Sequence, residues 1–314
     1  MRVLLCPASL KGVLSAAQAA GALAAGFRGA AWETDEVPVA DGGEGTADAL
    51  FRALGGEWLA TEPVSDPLGR PVAVSYLVLP DGTAVVESAA ALGLNLVAIG
   101  ERDPLHASSA GLGELLAAVV ARRPARVLVG VGGTATVDGG AGLRSVLTQW
   151  PEDLPLRVAC DVRNTLLDAA RVFGPQKGAT PEMVEELERR LAGDEGLASY
   201  RDLPGAGAGG GLGAALASLG GELVEGAELV LDAIGFDEHA RTADLVVTGE
   251  GTVDETTFTG KAPGAVVRRC ERLGVRCVLF GGRVEVSDAF GLRHLSGDPS
   301  RAREDLEALG ASFG

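Results

Sequence analysis

The chain has 314 residues, 46% of them hydrophobic, with 46 Gly and only 4% aromatics. That length implies about two domains, with cores built from Val, Leu and Ala packed closely where glycine permits. A formal net charge of -16 and a pI near 4.7 exclude an extended polyanion-binding surface, so no nucleic acid and no anionic membrane is expected as partner.

The opening MRVLLCPASLKG has too short an apolar run for a secretory signal, and a cytoplasmic protein is expected. Short Val- and Leu-rich runs then alternate with helical patterns: VLLC at 3–6, a helix over Ser15–Phe27, TDEVPVA at 34–40 and a helix over Thr46–Leu54. That βαβα order implies parallel pairing. From Trp58 to Ala91 the pattern changes, because VAVSYLVLPDGTAVVES sets a Pro-Asp-Gly turn between two extended runs, the pattern of an antiparallel hairpin. Helical character resumes over Ser108–Arg122. It is followed by RVLVGVGG at 126–133, LRVAC at 156–160, DLVVTGEG at 244–251 and RCVLFGG at 276–282, apolar runs of the buried parallel type. Between them lie an acidic helix over Pro181–Ala192 and an Ala-rich one over Gly211–Leu219. The longest uncharged segment, Leu203–Gly221, is mostly Gly and Ala and too weakly apolar to span a bilayer.

In open parallel sheets ligands sit outside the carboxyl ends of the strands. The segments placed there are Ser9 and Lys11, Asp41 to Gly45, Gly130 to Asp138, Asp161 and Asn164, Thr248 to Asp254, and Gly281 to Arg283. GVGGTATVDGGAG at 130–142 and PGAGAGGGLGAA at 204–215 are glycine-rich stretches whose backbone N–H groups can cradle phosphate oxygens. Gly130, Gly132 and Ala135 also fit G-x-G-x-x-A, with Glu152 near the distance of a ribose-binding acid, so a nicotinamide-dependent oxidoreductase stays open. A P-loop is excluded, since Glu255 and Ala262 replace the residues it needs around Gly260-Lys261. Asp41, Glu44, Asp161, Glu250 and Asp254 all fall just past expected strands. Carboxylates facing phosphate loops suit a magnesium-nucleotide site, with one acid free to take a proton from a hydroxyl. The few lysines include Lys11, Lys177 and Lys261, each in a Gly-flanked loop, where an ammonium can meet a carboxylate or a phosphoryl group. The cysteines Cys6, Cys160, Cys270 and Cys277 lack C-x-x-C spacing and His106, His239 and His294 are scattered, so neither zinc nor a disulfide framework is expected.

Seven motifs in order carry a resemblance. They are CPASLKG (6–12), VPVADGGEGT (37–46), VGGTATVDGGAG (131–142), ACDVRN (159–164), VFGPQKGAT (172–180), PGAGAGGGLGAAL (204–216) and TGEGTVDETTFTGKAP (248–263). The chain resembles the bacterial two-domain glycerate kinases nearly end to end. The resemblance implies ATP-dependent phosphorylation of D-glycerate at the 2-hydroxyl, with ATP and Mg2+ as cofactors. It also implies an α/β fold of two domains, one flavodoxin-like with three layers and a mostly parallel sheet, the other a mixed-sheet α/β domain. Residues 1–56, 101–130 and 240–314 are expected in the first, 57–100 and 131–239 in the second. The substrate would be held by Ser9, Lys11, Gly42, Gly43, Glu44 and Arg283. Phosphates would be held by Gly132, Gly133, Thr134, Gly205, Gly207, Gly209, Gly210 and Lys261, and magnesium by Asp161, Glu250 and Asp254. Asp161, then Asp41, is the expected proton acceptor beside Lys11. Ala8, Val137 and Thr256 stand where the family usually has Asp, Asn and Gln, so a binding homologue that has lost catalysis is a further alternative. A homodimer is the assembly considered.

Overall fold

The computed structural model describes residues 1–286 and 291–314. Its strands, in chain order, are β1 (Arg2–Pro7), β2 (Glu33–Glu36), β3 (Glu57–Ala60), β4 (Val64–Ser65), β5 (Pro71–Val72), β6 (Ser75–Val78) and β7 (Thr83–Glu87). After them come β8 (Arg126–Val131), β9 (Leu156–Cys160), β10 (Glu222–Glu225), β11 (Leu245–Val253), β12 (Cys277–Val284) and β13 (Arg293–His294). The chain divides into two compact units, one of residues 1–41, 48–53 and 227–314, the other of 42–47 and 54–226.

The first unit holds a parallel sheet in the order β2-β1-β11-β12-β13. Taken in chain order within the unit this is 2-1-3-4-5, the flavodoxin-like order, whose ligand crevice opens where the winding reverses, between β1 and β11. Alternation along the strands explains the layering. Val3, Leu5, Val247 and Phe280 pack with Leu23 and Phe27 of helix Ala16–Gly29 and with Leu306 of helix Ala302–Ala311. Leu279, next to Phe280, points the other way, onto Val267 of helix Ala262–Leu273. Helix Ala16–Gly29 begins on a capping box, Ser15 and Gln18 each accepting from the other's backbone N–H.

The second unit holds a mixed sheet in the order β10-β9-β8-β7-β6-β3. Strands β7 to β10 pair in parallel, whereas β6 and β3 join antiparallel. The expected hairpin is β6–β7, its turn closed by Gly82 N–H on the Leu79 carbonyl and by Thr83 N–H on Asp81. Its core runs through Val86, Leu115, Val129, Val158 and Leu216.

The unit boundaries depart from the expected division in four places, residues 42–47, 54–56, 101–130 and 227–239. Residues 101–130 belong to the second unit, because β8 is hydrogen-bonded between β7 and β9. Residues 227–239 belong to the first, tied there by Arg269, whose buried guanidinium meets Glu228, Asp232 and Asp237 at 2.7, 2.6 and 3.3 Å. Residues 42–47 go to the second, because Gly42 lies against Ala159 and Gly226 and would clash there with any Cβ.

Candidate active site

In the first unit, β1 hands the chain to a tight loop in which Leu10 and Leu14 pair back on each other. Ser9 and Lys11 are exposed on that loop. Gly251 of β11 lies under it: a Cβ there would stand 3.6 Å from the Leu10 Cα. The β1 loop and the end of β11 thus converge at the reversal point of the winding. One step away Glu250 is half-buried, its carboxylate accepting from the Thr257 hydroxyl at 2.7 Å and facing Lys261 Nζ at 3.3 Å. Burial pushes the Glu250 carboxyl up. Thr257 and Lys261 pull it down, and the charge of Asp41 raises it further. Asp41, Glu250 and Lys261 are therefore electrostatic neighbours. Asp254 shares Lys261 at 3.5 Å, but one of its oxygens is committed to capping the turn Glu255–Phe258 through Thr256 and Thr257 N–H. Arg283 is three-quarters exposed on β12, beside Glu285.

In the second unit the segment 42–47 lies across the carboxyl ends of β7, β8 and β9. Glu87, the last residue of β7, accepts from Gly45 and Ala47 N–H at 3.0 and 2.8 Å and so caps the helix Thr46–Leu54. Gly43 backs onto Gly132, and Gly42 O lies over Gly130. Glu44 is exposed and its carboxylate lies near Gly133. Asp161 follows β9, and Gly205 sits beside Cys160 and Val162 at the same corner.

The two glycine-rich stretches pack on each other. Gly209, Gly210 and Gly211 are consecutive left-handed residues with φ of 62, 77 and 98°. A Cβ on Gly210 would stand 2.1 Å from the Thr136 carbonyl oxygen, so closeness of backbones requires this glycine. Gly207 donates to the Asn164 carbonyl and Gly139 to that of Gly210. Two expected phosphate contacts change in character. Gly132 N–H already donates to the Ser88 hydroxyl at 3.2 Å, and Thr134 is buried, donating to the Gly209 carbonyl at 3.1 Å. Both hold the loop together from inside, while Gly133 is exposed at its tip.

Residues that sequence reasoning left unassigned complete the rim. Glu87 carried a usable signal as an acid at the end of a strand. Asp138 binds Ser109 N–H and hydroxyl and the N–H of Gly140 and Gly142, closing the first glycine loop. Lys177, expected as a loop ammonium meeting a carboxylate or phosphoryl group, is instead buried, its ammonium donating to Thr134 Oγ1 at 3.2 Å and Thr136 O at 2.7 Å. No spacing in the sequence announces that burial.

The expected magnesium carboxylates divide between the units, Glu250 and Asp254 in the first and Asp161 in the second. Among the described residues no three metal-binding side chains gather. Magnesium needs only one or two carboxylates when phosphate oxygens and water complete its octahedron. The half-buried, polar-flanked Glu250 is a hard-oxygen donor of that kind. Among the described residues no helix is long and apolar enough to cross a membrane.

Comparison with known proteins places this arrangement. The model of the glycerate kinase family matches residues 3–149 and 144–294. A glycerate kinase of Bacillus subtilis (strain 168) is 37% identical, over 90% of this chain and 85% of its own. A glycerate 2-kinase of Escherichia coli (strain K12) is 37% identical, over 95% of this chain and 88% of its own. A crystal structure assigned as glycerate kinase 2 from Salmonella typhimurium LT2 superposes with a TM-score of 0.82 at 33% identity, over 100% of this chain and 97% of that one. The chain belongs to the glycerate kinase family and is an enzyme of the kind those relatives represent.

Proposed function

We propose that the chain transfers the γ-phosphoryl group of ATP to the 2-hydroxyl of D-glycerate, with magnesium. The observation that carries the reading is the polar cluster at the reversal point of the flavodoxin-like sheet. Lys11 and Ser9 lie on the β1 loop, and Asp41 and Lys261 act on Glu250 in the C-terminal half of β11. The chain has only three lysines, and placing two of them there suits a carboxylate or phosphoryl ligand.

Lys11, Ser9 and Arg283, all of the first unit, take the glycerate carboxylate. The exposed backbone around Gly133, with Gly205 and Gly209, faces phosphate oxygens, while the N–H groups of Gly207 and Gly210 are committed to the Asn164 and Gly207 carbonyls. Lys261 stands as a point charge for a phosphoryl oxygen, its position fixed by Glu250 and Asp254. Asp161 accepts the hydroxyl proton, with Asp41 as the second candidate. Glu250 or Asp161 holds the metal, which supplies charge neutralisation of the phosphates when bound. Little covalent chemistry is asked of the protein, since phosphoryl transfer rests mainly on positioning and charge.

The test is a coupled assay of ADP release with D-glycerate, run with and without EDTA, and phosphorus NMR of the product. ADP formation that needs both glycerate and a divalent cation, with 2-phosphoglycerate as product, is expected. No glycerate-dependent ADP at saturating ATP would refute the activity, and 3-phosphoglycerate would refute the regiochemistry.

A further inference from the structure

A buried ammonium is a costly group, and protein interiors keep one only with strong partners or for a task. Lys177 is 3% exposed, and its hydrogen-bond partners among the described residues are both neutral: the Thr134 hydroxyl and the Thr136 carbonyl. Asp138 acts on it through space, yet among the described residues no carboxylate forms an ion pair with Lys177. The carboxylate of Asp138 is instead occupied by Ser109, Gly140 and Gly142. Beside it the Thr136 hydroxyl is buried and finds no hydrogen-bond partner among the described residues. Stability alone does not explain a lysine here.

Its connections are informative. Lys177 ends the short turn Pro175–Lys177, and Gly178 follows it at φ 96° against Arg102. Its ammonium grips the first glycine-rich stretch at Thr134 and Thr136. Thr134 passes the contact on, donating to the Gly209 carbonyl of the second stretch, while Gly210 lies over Thr136 and accepts from Gly139 N–H. One side chain therefore ties both glycine-rich backbones together from below. Glycine backbones are intrinsically loose, and a rim of N–H groups can favour an anion only if its geometry is held in advance.

We infer that Lys177 is a positioning residue of the phosphoryl-transfer reaction: through Thr134 and Thr136 it locks the 131–142 and 205–211 loops into one rigid surface for the phosphates of the nucleotide. The inference rests on the reading that these loops face the nucleotide. Lys177 does not touch substrate; it acts through the loops above it.

The experiment compares wild type, Lys177→Met and Thr134→Val in two measurements. In steady-state kinetics, Lys177→Met should raise KM for ATP about tenfold or more and leave KM for glycerate within about twofold. In hydrogen exchange by mass spectrometry, peptides covering 131–142 and 205–211 should exchange about tenfold faster, with β1 and β11 peptides unchanged. Thr134→Val removes the relay without touching a charge, so it should show the same pattern, more weakly, and stands in if Lys177→Met fails to fold. A wild-type KM for ATP, or both KM values rising together, overturns the inference. If the wild type shows no ATP-dependent turnover, the proposed function falls, and the exchange data still decide: unchanged loops overturn the positioning role, faster loops sustain it.

Discussion

Replacing Lys177 by Met should make the protein more stable near neutrality and erase part of its pH dependence. Burial lowers the Lys177 ammonium from 10.5 to about 7, partly offset by the charge of Asp138. The sign follows from proton linkage. Between pH 7 and 10.5 the unfolded chain carries the proton and the folded chain does not, so stability rises with pH through that window. Below pH 7 both states are charged and the full penalty is present, on the order of 4–5 kcal/mol at about 1.4 kcal/mol per pH unit. At pH 9 roughly 2 kcal/mol of it remains. Methionine fills a similar volume without charge but strips the Thr136 carbonyl of its donor, at a cost of about 2 kcal/mol. The variant should thus exceed wild type by about 2 kcal/mol at pH 7 and match it near pH 9. Urea unfolding of both proteins at pH 7, 8 and 9 measures the difference, in which every other titrating group cancels. Trp58 and Trp150 lie within the second unit and Trp32 in the first, so a Trp32→Phe background confines the fluorescence to the transition that contains Lys177. A variant less stable than wild type at pH 7, or a gap independent of pH, would refute the reasoning.

Three further outcomes are expected. Gly210→Ala combines a left-handed backbone at φ 77° with a Cβ 2.1 Å from the Thr136 oxygen. It should cost about 3 kcal/mol or more, read as a lowered Tm of the second unit. Glu250→Gln removes the half-buried carboxylate beside Lys261, so kcat should fall about 100-fold or more. Its Tm should hold or rise, because burial already disfavours that charge; a matching loss of Tm and activity would point to misfolding instead. Lys11→Met, on an exposed loop, should raise KM for glycerate about 10- to 100-fold, the worth of one charge-assisted hydrogen bond, with Tm unchanged. An unaltered KM would move the carboxylate contact elsewhere.

The segment ADGGEGT shows how far sequence reading reached. Asp41 and Glu44 were legible as acids past a strand, and the glycines as a close backbone approach. The structure assigns Asp41 to the first unit and Gly42 to the second, with Glu87 tethering the segment at Gly45 and Ala47. A glycine-rich spacing cannot tell whether N–H groups face a ligand or a neighbouring backbone. Gly132 and Gly210 proved to face neighbours, Ser88 for one and Thr136 for the other.

What the sequence determined by itself was what is local or periodic. The apolar runs that became β1, β8, β9, β11 and β12, the Pro80-Asp81-Gly82 hairpin and the glycine and acid clusters at strand ends depend on residues near each other in the chain. The ordered motifs fixed the family for the same reason. Only the tertiary structure decided which sheet β8 joins, which acids share a neighbourhood, and that Lys177 is buried. Those depend on pairings across many residues, such as β8 between β7 and β9 or Lys177 on Thr134 and Thr136. Such pairings are selected by the burial of whole faces at once, which no single stretch of sequence encodes.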